Sequence, residues 1–428
     1  MNNNQTYGTR KLANGVEISN NTFETGLNNN DLIIGGSGSS KTGSVVFNLL
    51  LNPCGSLVVS DTKGLLYRRF ANYLEKEGYK VLNIDFITPT NGIGYNPLDY
   101  VRKDDNGNLI ESDIKKLANT LMPRLDKDEP FWEKAATRYI CMLIGFVLEA
   151  LPPEEQNMIS VLRLHREILN GSGMGMLKRW SNENRDSYCA KKFREMNGTA
   201  VAEKTWACIT EFANEGLEFF SYNDLYPIFG SENRVNLRQI GNEKTVLFLK
   251  GSDNDTSFHI LSTIFFNQLL QVLIESADNN LDGRLKVPTR IILDDFAASA
   301  AIEDFDNVIS IIRSRDISVS VIIQSMSQLK RKYSEEEANS ILNNCDHILY
   351  MAGKDYETSK LIANYLNKPI PLILNLPKSQ AVLISSGEGG RIVDKLRAYH
   401  VCKEIADRLD TQTLNELQLG KDIYYGKE

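Results

Sequence analysis

Residues Gly35 to Thr42 read GGSGSSKT. Gly35, Lys41 and Thr42 fit the spacing G-x-x-x-x-G-K-[ST], with Ser40 standing where the second glycine belongs. A loop of this kind turns a strand into a helix so that successive N–H groups and the helix N-terminus converge on phosphate oxygens. Gly35, Gly36, Ser37, Gly38, Ser39, Ser40, Lys41 and Thr42 are therefore the candidate phosphate-binding residues, with Lys41 reaching the outer phosphates and Thr42 offering its hydroxyl to Mg2+. Ser40 adds a Cβ at that approach. If the position needs a glycine-only backbone, the cost is on the order of 1–2 kcal/mol, or roughly tenfold in nucleotide affinity. The simpler alternative is a Gly/Ser turn carrying a surface lysine.

A second string changes the weighting. RIILDD closes an apolar run with Asp294 and Asp295, the arrangement in which one carboxylate holds Mg2+ through water and its neighbour orients the attacking water. Asp295 is one methylene shorter than the glutamate more often found there, and reaction geometry is sensitive to displacements of ~1 Å. Gln324 ends SVSVIIQ, where a strand-end amide can sense a terminal phosphate. Arg313 and Arg315, in SIIRSRDIS, are candidates for an arginine finger reaching a neighbouring subunit's nucleotide. A solvated basic helix end is the plainer account of at least one of them. His165, His259, His347 and His400 show no ligand spacing.

These residues need elements to hold them. The chain has 428 residues, 42% hydrophobic and 24% charged, room for two or three domains with a sizeable core, which excludes disordered and collagen-like classes. Its 48 basic and 55 acidic side chains leave a net charge of -7, so nucleic-acid contact must use a local patch. Six scattered cysteines suit a reducing compartment and neither a disulfide framework nor a zinc site. The apolar stretches Tyr139 to Ala150 and Ile260 to Ile274, the latter broken by Asn267 and Gln268, fall short of the ~18 residues needed to cross a bilayer. The opening residues MNNNQTYGTRK lack the apolar stretch of a secretory signal.

Strands alternate with helices from Asp31, predicting an α/β fold with a doubly wound, parallel-rich sheet. Residues 1–27 read as an irregular N-terminal arm, and 28–103 with 237–428 as the nucleotide-binding domain. Between them, 104–236 reads as an inserted all-α domain, with helical spacing over Lys115 to Leu125, Phe131 to Ala150, Asn157 to Leu169 and Cys189 to Glu215. GSGMG, 171–175, and SADNNLDGR, 276–284, read as turn-rich loops.

The blocks GGSGSSKT, SLVVSDTKGLLYRR, GYKVLNIDF, GYNPLDY, PFWEKAA, SDNDTSFHILSTIFFNQLLQ, GRLKVPTRIILDDFA, IRSRDISVSVIIQSMSQL and NCDHILYMAGKD occur in the order seen in the type IV coupling proteins. The chain resembles the cytosolic part of those TraG/TraD-like DNA-pump ATPases over nearly its full length. The resemblance implies a RecA-like P-loop NTPase domain split by an all-α domain, with ATP and Mg2+ at the interfaces of a homo-hexamer. It also implies transfer of relaxase-bound single-stranded DNA into a type IV secretion channel, from the cytoplasmic face of the membrane. It places phosphates on Gly35, Gly38, Lys41 and Thr42, metal on Thr42 and Asp294, and water activation on Asp295. Asp61 and Lys63 match its D-x-K-G block, which sets Lys63 near the nucleotide. Ser40, Leu65, and Asp295 with Ala298 depart from the family pattern at the chemical centre. The family usually begins with transmembrane helices, and YGTRKLA resembles the stretch following them.

For DNA, Lys178-Arg179-Trp180, Lys191-Lys192-Phe193-Arg194 and Lys330-Arg331-Lys332-Tyr333 pair cations with an aromatic that could stack on a base. A solvated face with a buried ring is the plainer account of each. Two functional readings compete with the motor: an adaptor that binds nucleotide weakly and recruits substrate without hydrolysis, and a partitioning or packaging translocase of the same ATPase class.

Overall fold

The computed structural model describes residues 7–89, 92–122, 131–197, 203–252, 258–296 and 301–398; Ala298, His400 and Cys402 lie outside them. The described residues fall into two compact units, one within 1–87, 236–262 and 269–428, the other within 88–235 and 263–268. The helical unit thus begins before Asp104. Gly94 forms a parallel bridge to Arg234, the Tyr100 hydroxyl donates to the Val235 carbonyl at 2.7 Å, and Tyr95 meets Phe265 edge-on at 5.5 Å. The GYNPLDY block and the 263–268 turn of helix therefore belong with it.

The first unit is built on eleven strands: β1 (Thr9–Ala13), β2 (Val16–Ser19), β3 (Asp31–Ile34), β4 (Ser56–Ser60), β5 (Lys80–Asp85), β6 (Thr245–Lys250), β7 (Thr289–Leu293), β8 (Ile317–Ile323), β9 (His347–Tyr350), β10 (Gln380–Ser385) and β11 (Gly389–Asp394). Nine form one sheet in the order β11-β10-β9-β3-β8-β7-β4-β6-β5. Pairing is parallel from β9 to β5, and β10 and β11 add an antiparallel edge. β3, β4, β7 and β8 are buried along their whole length, Ser318 and Ser320 of β8 included. The helix Thr42–Leu51 covers one face, its Phe47 meeting Phe70 of the helix Leu65–Lys76 edge-on at 4.8 Å.

The expected irregular arm is, from Thr9 to Ser19, an antiparallel hairpin. Its strands are too short to show a period, and its anchor is a charge. Arg10, only 3% exposed, donates from Nη2 and Nε to Asp31 at 2.8 and 3.1 Å, and Arg290 donates to the same carboxylate at 2.8 Å. Ser320 donates to it at 3.1 Å. One carboxylate thereby ties β1 to β3, β7 and β8. Burial by itself would raise the Asp31 pKa, but the two guanidinium groups outweigh burial and hold it below the usual carboxylate range.

In the helical unit, Phe131–Ala150 is the central helix, buried through Ala135–Thr137 and Tyr139–Leu148. Cys189 to Glu215 is two helices, Tyr188–Asn197 and Glu203–Leu217, with 198–202 outside the described residues. The GSGMG string is not a loop throughout: Gly173 opens the helix Gly173–Glu183, packed so close that a Cβ there would stand 2.8 Å from the Ile168 backbone nitrogen. The helix His259–Asp278 is, among the described residues, long and apolar enough to cross a membrane by length and composition. Leu261, Phe265, Leu269 and Leu273 are nonetheless buried within the protein, and Gln268 accepts from the Tyr95 hydroxyl and donates to Pro97 O.

Asp31→Asn leaves Arg10 and Arg290 facing a neutral amide. The substitution is expected to lower unfolding free energy by about 3–5 kcal/mol, read from denaturant titration. Because the folded pKa of Asp31 is depressed, its contribution is present above the unfolded pKa and lost as pH falls through the folded one; acid should therefore destabilise the wild type more steeply than Asp31→Asn.

Candidate phosphate-binding site

The turn after β3 is held by backbone bonds on both sides. Gly35 N donates to Ile323 O at 3.1 Å and Gly36 N to Ala352 O at 2.9 Å, so β8 and the end of β9 set its mouth. Gly38 and Ser40 both take left-handed conformations, φ 75° and 69°. Ser40 thus sits in the glycine-type backbone that its place in the motif implies. The turn leads into Thr42–Val46, wound as a π-turn, and the first N–H groups of a helix have no partner within it. Lys41 is 8% exposed, and its ammonium donates to Gly35 O at 2.6 Å and Gly36 O at 3.3 Å. Burial lowers its pKa, against the pull of Asp295 and Asp294. The Ser39 hydroxyl is buried without a hydrogen-bond partner, 2.6 Å from where a Cβ on Gly35 would stand, so Gly35 leaves room that an alanine would not.

Thr42 Oγ1 donates to Asp294 Oδ2 at 2.7 Å, joining the turn after β3 to the end of β7, two strands away. Burial pushes Asp294 up to about 6, with the Thr42 bond acting against it and the Asp295 charge adding to it. Asp295 has φ 48°, and its N–H donates to Asp294 Oδ1 at 3.1 Å. A cavity of about 440 Å3 is lined by Ser37, Gly38, Ser40, Lys41, Thr42, Lys63, Asp295 and Gln324. The turn, Lys63 after β4, Asp295 after β7 and Gln324 after β8 therefore share one cleft at the C-terminal ends of parallel strands, where ligands of open α/β sheets bind. Asp61 is different: its carboxylate accepts from Leu65 N at 3.0 Å and Tyr67 N at 2.8 Å, capping the helix Leu65–Lys76.

Arg313 and Arg315 are not brought to this cleft. They precede β8 whereas Gln324 follows it, and seven residues at ~3.3 Å each separate the two ends by roughly 23 Å. Arg315 pairs with Asp278 at 2.7 Å, and Arg313 donates to Gly26 O. Two of the three basic patches carry the buried ring of their plainer account. Phe193 and Tyr333 are buried at 6% and 8% exposure, and Trp180 packs edge-on against Phe146, so the first two rings cannot stack on a base. Lys192 pairs with Glu195 at 3.1 Å, and Lys332 donates inward to Phe296 O at 3.0 Å. Among the described residues no cluster of His, Cys, Asp and Glu is placed to hold a metal by itself.

Several contributors were not singled out from the sequence. Gln328 Nε2 donates to Gln324 Oε1 at 3.3 Å, although Gln324 precedes the helix that carries Gln328, so no helical spacing marked the pair. Beyond the turn, a larger cavity of about 980 Å3 lies between Gly36–Ser40 and the β10–β11 edge, with Leu374, Leu396, Lys378 and Lys395 on its walls. Lys395 donates to Met351 O at 2.8 Å, its pKa lowered by burial and then by the Lys41 charge.

Residues 2–368 match the family described as type IV secretory system conjugative DNA transfer. The conjugal transfer protein TraG of Rhizobium radiobacter is 24% identical over 346 residues, covering 79% of this chain and 51% of that protein. TraG of Agrobacterium fabrum is likewise 24% identical, over 363 residues, 79% of this chain and 50% of its own. The chain thus spans about half the length of these curated relatives. Among solved structures, the unbound bacterial conjugative coupling protein TrwBdeltaN70 superposes with a TM-score of 0.65 at 13% identity, over 90% of this chain and 88% of that one. TrwB in complex with ADP and Mg2+ gives 0.64 at 13%, over 91% and 89%. VirB4 of Thermoanaerobacter pseudethanolicus gives 0.53 at 13%, over 92% and 98%. At such identities the likeness is one of fold, and the fold is the RecA-like NTPase fold.

Ser40→Gly removes the Cβ from a left-handed position. The relief of ~1–2 kcal/mol exceeds the ~0.5–1 kcal/mol that glycine loses to unfolded-state entropy. The urea midpoint should rise at unchanged m-value, corresponding to a net gain of roughly 0.5–1 kcal/mol.

Proposed function

The chain belongs to the type IV secretory system conjugative DNA transfer family, and we propose that it acts there as an ATP-driven coupling protein. The observation that carries this reading is the 2.7 Å bond between Thr42 and Asp294, which sets the phosphate turn against the paired acids in a cleft shared with Lys41, Lys63 and Gln324.

The residues suit a triphosphate and its metal. The turn offers N–H groups and an ammonium to phosphate oxygens, and the buried Ser39 hydroxyl has no protein partner. Thr42 and Asp294 would hold Mg2+, which when bound neutralises charge on the outer phosphate oxygens. Asp295 orients water at the terminal phosphate and Gln324, steadied by Gln328, faces the same point. In this reading Lys41 leaves the Gly35 and Gly36 carbonyls for phosphate oxygens, a stronger charge-assisted partner.

The substrate is single-stranded DNA carried with its relaxase and delivered to a type IV secretion channel at the cytoplasmic face of the membrane. A homo-hexamer is the assembly in which Arg313 or Arg315, far from their own cleft, reach a neighbour's nucleotide. The conjugal transfer relatives and the TrwB fold support this reading. A second reading, a slow or non-hydrolysing adaptor, is favoured by one observation: Ser40 and Asp295, both non-glycine, hold left-handed backbone on either side of the cleft.

With Mg2+ and single-stranded DNA, the wild type is expected to hydrolyse ATP on the order of 100-fold faster than Lys41→Ala, with a rate per chain that rises with protein concentration. Equal rates for the two would exclude the motor. Calorimetric binding of ADP without turnover, with turnover gained in Asp295→Glu, would place the deficit in the shortened side chain.

A further inference from the structure

The helix Met326–Lys332 follows β8, Gln324 and the N-cap Ser325, and its last residue reaches Phe296, just after β7. Gln328 and Lys332 stand four apart and lie on one side of the helix, whereas Gln324 precedes it, before the extended N-cap Ser325. The first contact on that side is the Gln328 amide on Gln324. The second lies beside Asp295: Lys332 Nζ donates to the Phe296 carbonyl at 3.0 Å and sits 5.5 Å from the centroid of the Phe296 ring. That ring is 1% exposed, stacked on Tyr333 at 5.7 Å and tilted against Phe305 at 5.2 Å. Asp295 is therefore gripped on both sides. Its own N–H is bound by the Asp294 carboxylate, and the carbonyl of the next residue is bound by Lys332.

We propose that Lys332 is a positioning residue for Asp295: by holding the Phe296 carbonyl over a wedged ring, it maintains the left-handed turn that aims the Asp295 carboxylate into the cleft. The backbone at Asp295, φ 48°, lies in the left-handed region, which an aspartate visits more readily than most residues but at a cost its neighbours must offset. A lysine is an expensive choice for mere packing here. Burial lowers its ammonium to about 8, so an uncharged chain of the same length would pack at less cost. What a methionine cannot supply is a donor to the carbonyl. The proposal rests on the reading of Asp295 as the water-orienting acid.

The test compares Lys332→Met, which keeps the packed stem, with Lys332→Arg, which keeps a cationic donor. Lys332→Met is expected to lower kcat for ATP by 10–100-fold with KM and ADP affinity within about twofold, and Lys332→Arg to restore most of the rate. In an Asp295→Asn background the methionine substitution should change nothing further, because the group it positions is already gone. An equal loss of nucleotide affinity, or a full additional fall in that background, overturns the proposal. A wild type that hydrolyses nothing defeats the functional reading instead. The crystal structure of Lys332→Met then decides: Asp295 released from the left-handed region supports the positioning role, and Asp295 still near φ 48° overturns it.

Discussion

Parallel pairing of β3, β8, β7 and β4 is the constraint on which the site depends. Each strand delivers a different chemical group at its C-terminal end: the phosphate turn, Gln324, the paired acids, and Thr62 with Lys63. Were any of these strands reversed, its group would lie at the opposite edge of the sheet, where Arg313 and Arg315 are. Burial of all four strands on both faces fixes their register, because a slip of one residue would exchange every side chain between faces. The Thr42–Asp294 bond is available only because β3 and β7 are separated by a single strand.

The cleft is bordered by residues whose backbone is not the one their side chains prefer. Ser40 and Asp295 have φ of 69° and 48°, and Ala352, whose carbonyl receives the Gly36 N–H, has φ 68°. Three such positions around one turn require neighbours that hold them. Ile323 and Ala352 carbonyls serve the phosphate turn, while the Asp294 carboxylate and Lys332 bracket Asp295. Strain of this type gathers at sites where a ligand must meet a preset shape. Ser40 accordingly holds a glycine-type backbone at a cost in the energy of the turn.

Much of this was legible in the sequence because the governing signals are local. An apolar run closing in Asp-Asp, and a strand followed by GGSGSSKT, state the element within ten residues and point to a candidate chemistry. Eight of the nine sheet strands, all but β11, are visible as apolar stretches, and Phe131–Ala150 as a helix. What escaped depends on partners far along the chain. Arg10 looks like a surface residue until Asp31 and Arg290 surround it, which hid the hairpin. Lys332 looks like part of a basic stripe until Phe296 meets it. Arg313 and Arg315 read by their chemistry as candidates for a neighbouring subunit's nucleotide, and their place before β8, away from their own cleft, is a property of topology. The boundary of the helical unit moved for the same reason, since Tyr95 and Tyr100 find their partners more than a hundred residues away.

The hairpin also determines how the protein carries load. A pull on the chain ahead of Arg10 does not peel one strand from an edge. It enters through a carboxylate shared by two guanidinium groups and is divided at once among three adjacent strands in the middle of the sheet. Tension applied at that end is resisted as shear across the same strands whose far tips hold the phosphate turn and the acids. Mechanical stiffness between the amino-terminal end and the cleft is therefore built into the sheet itself.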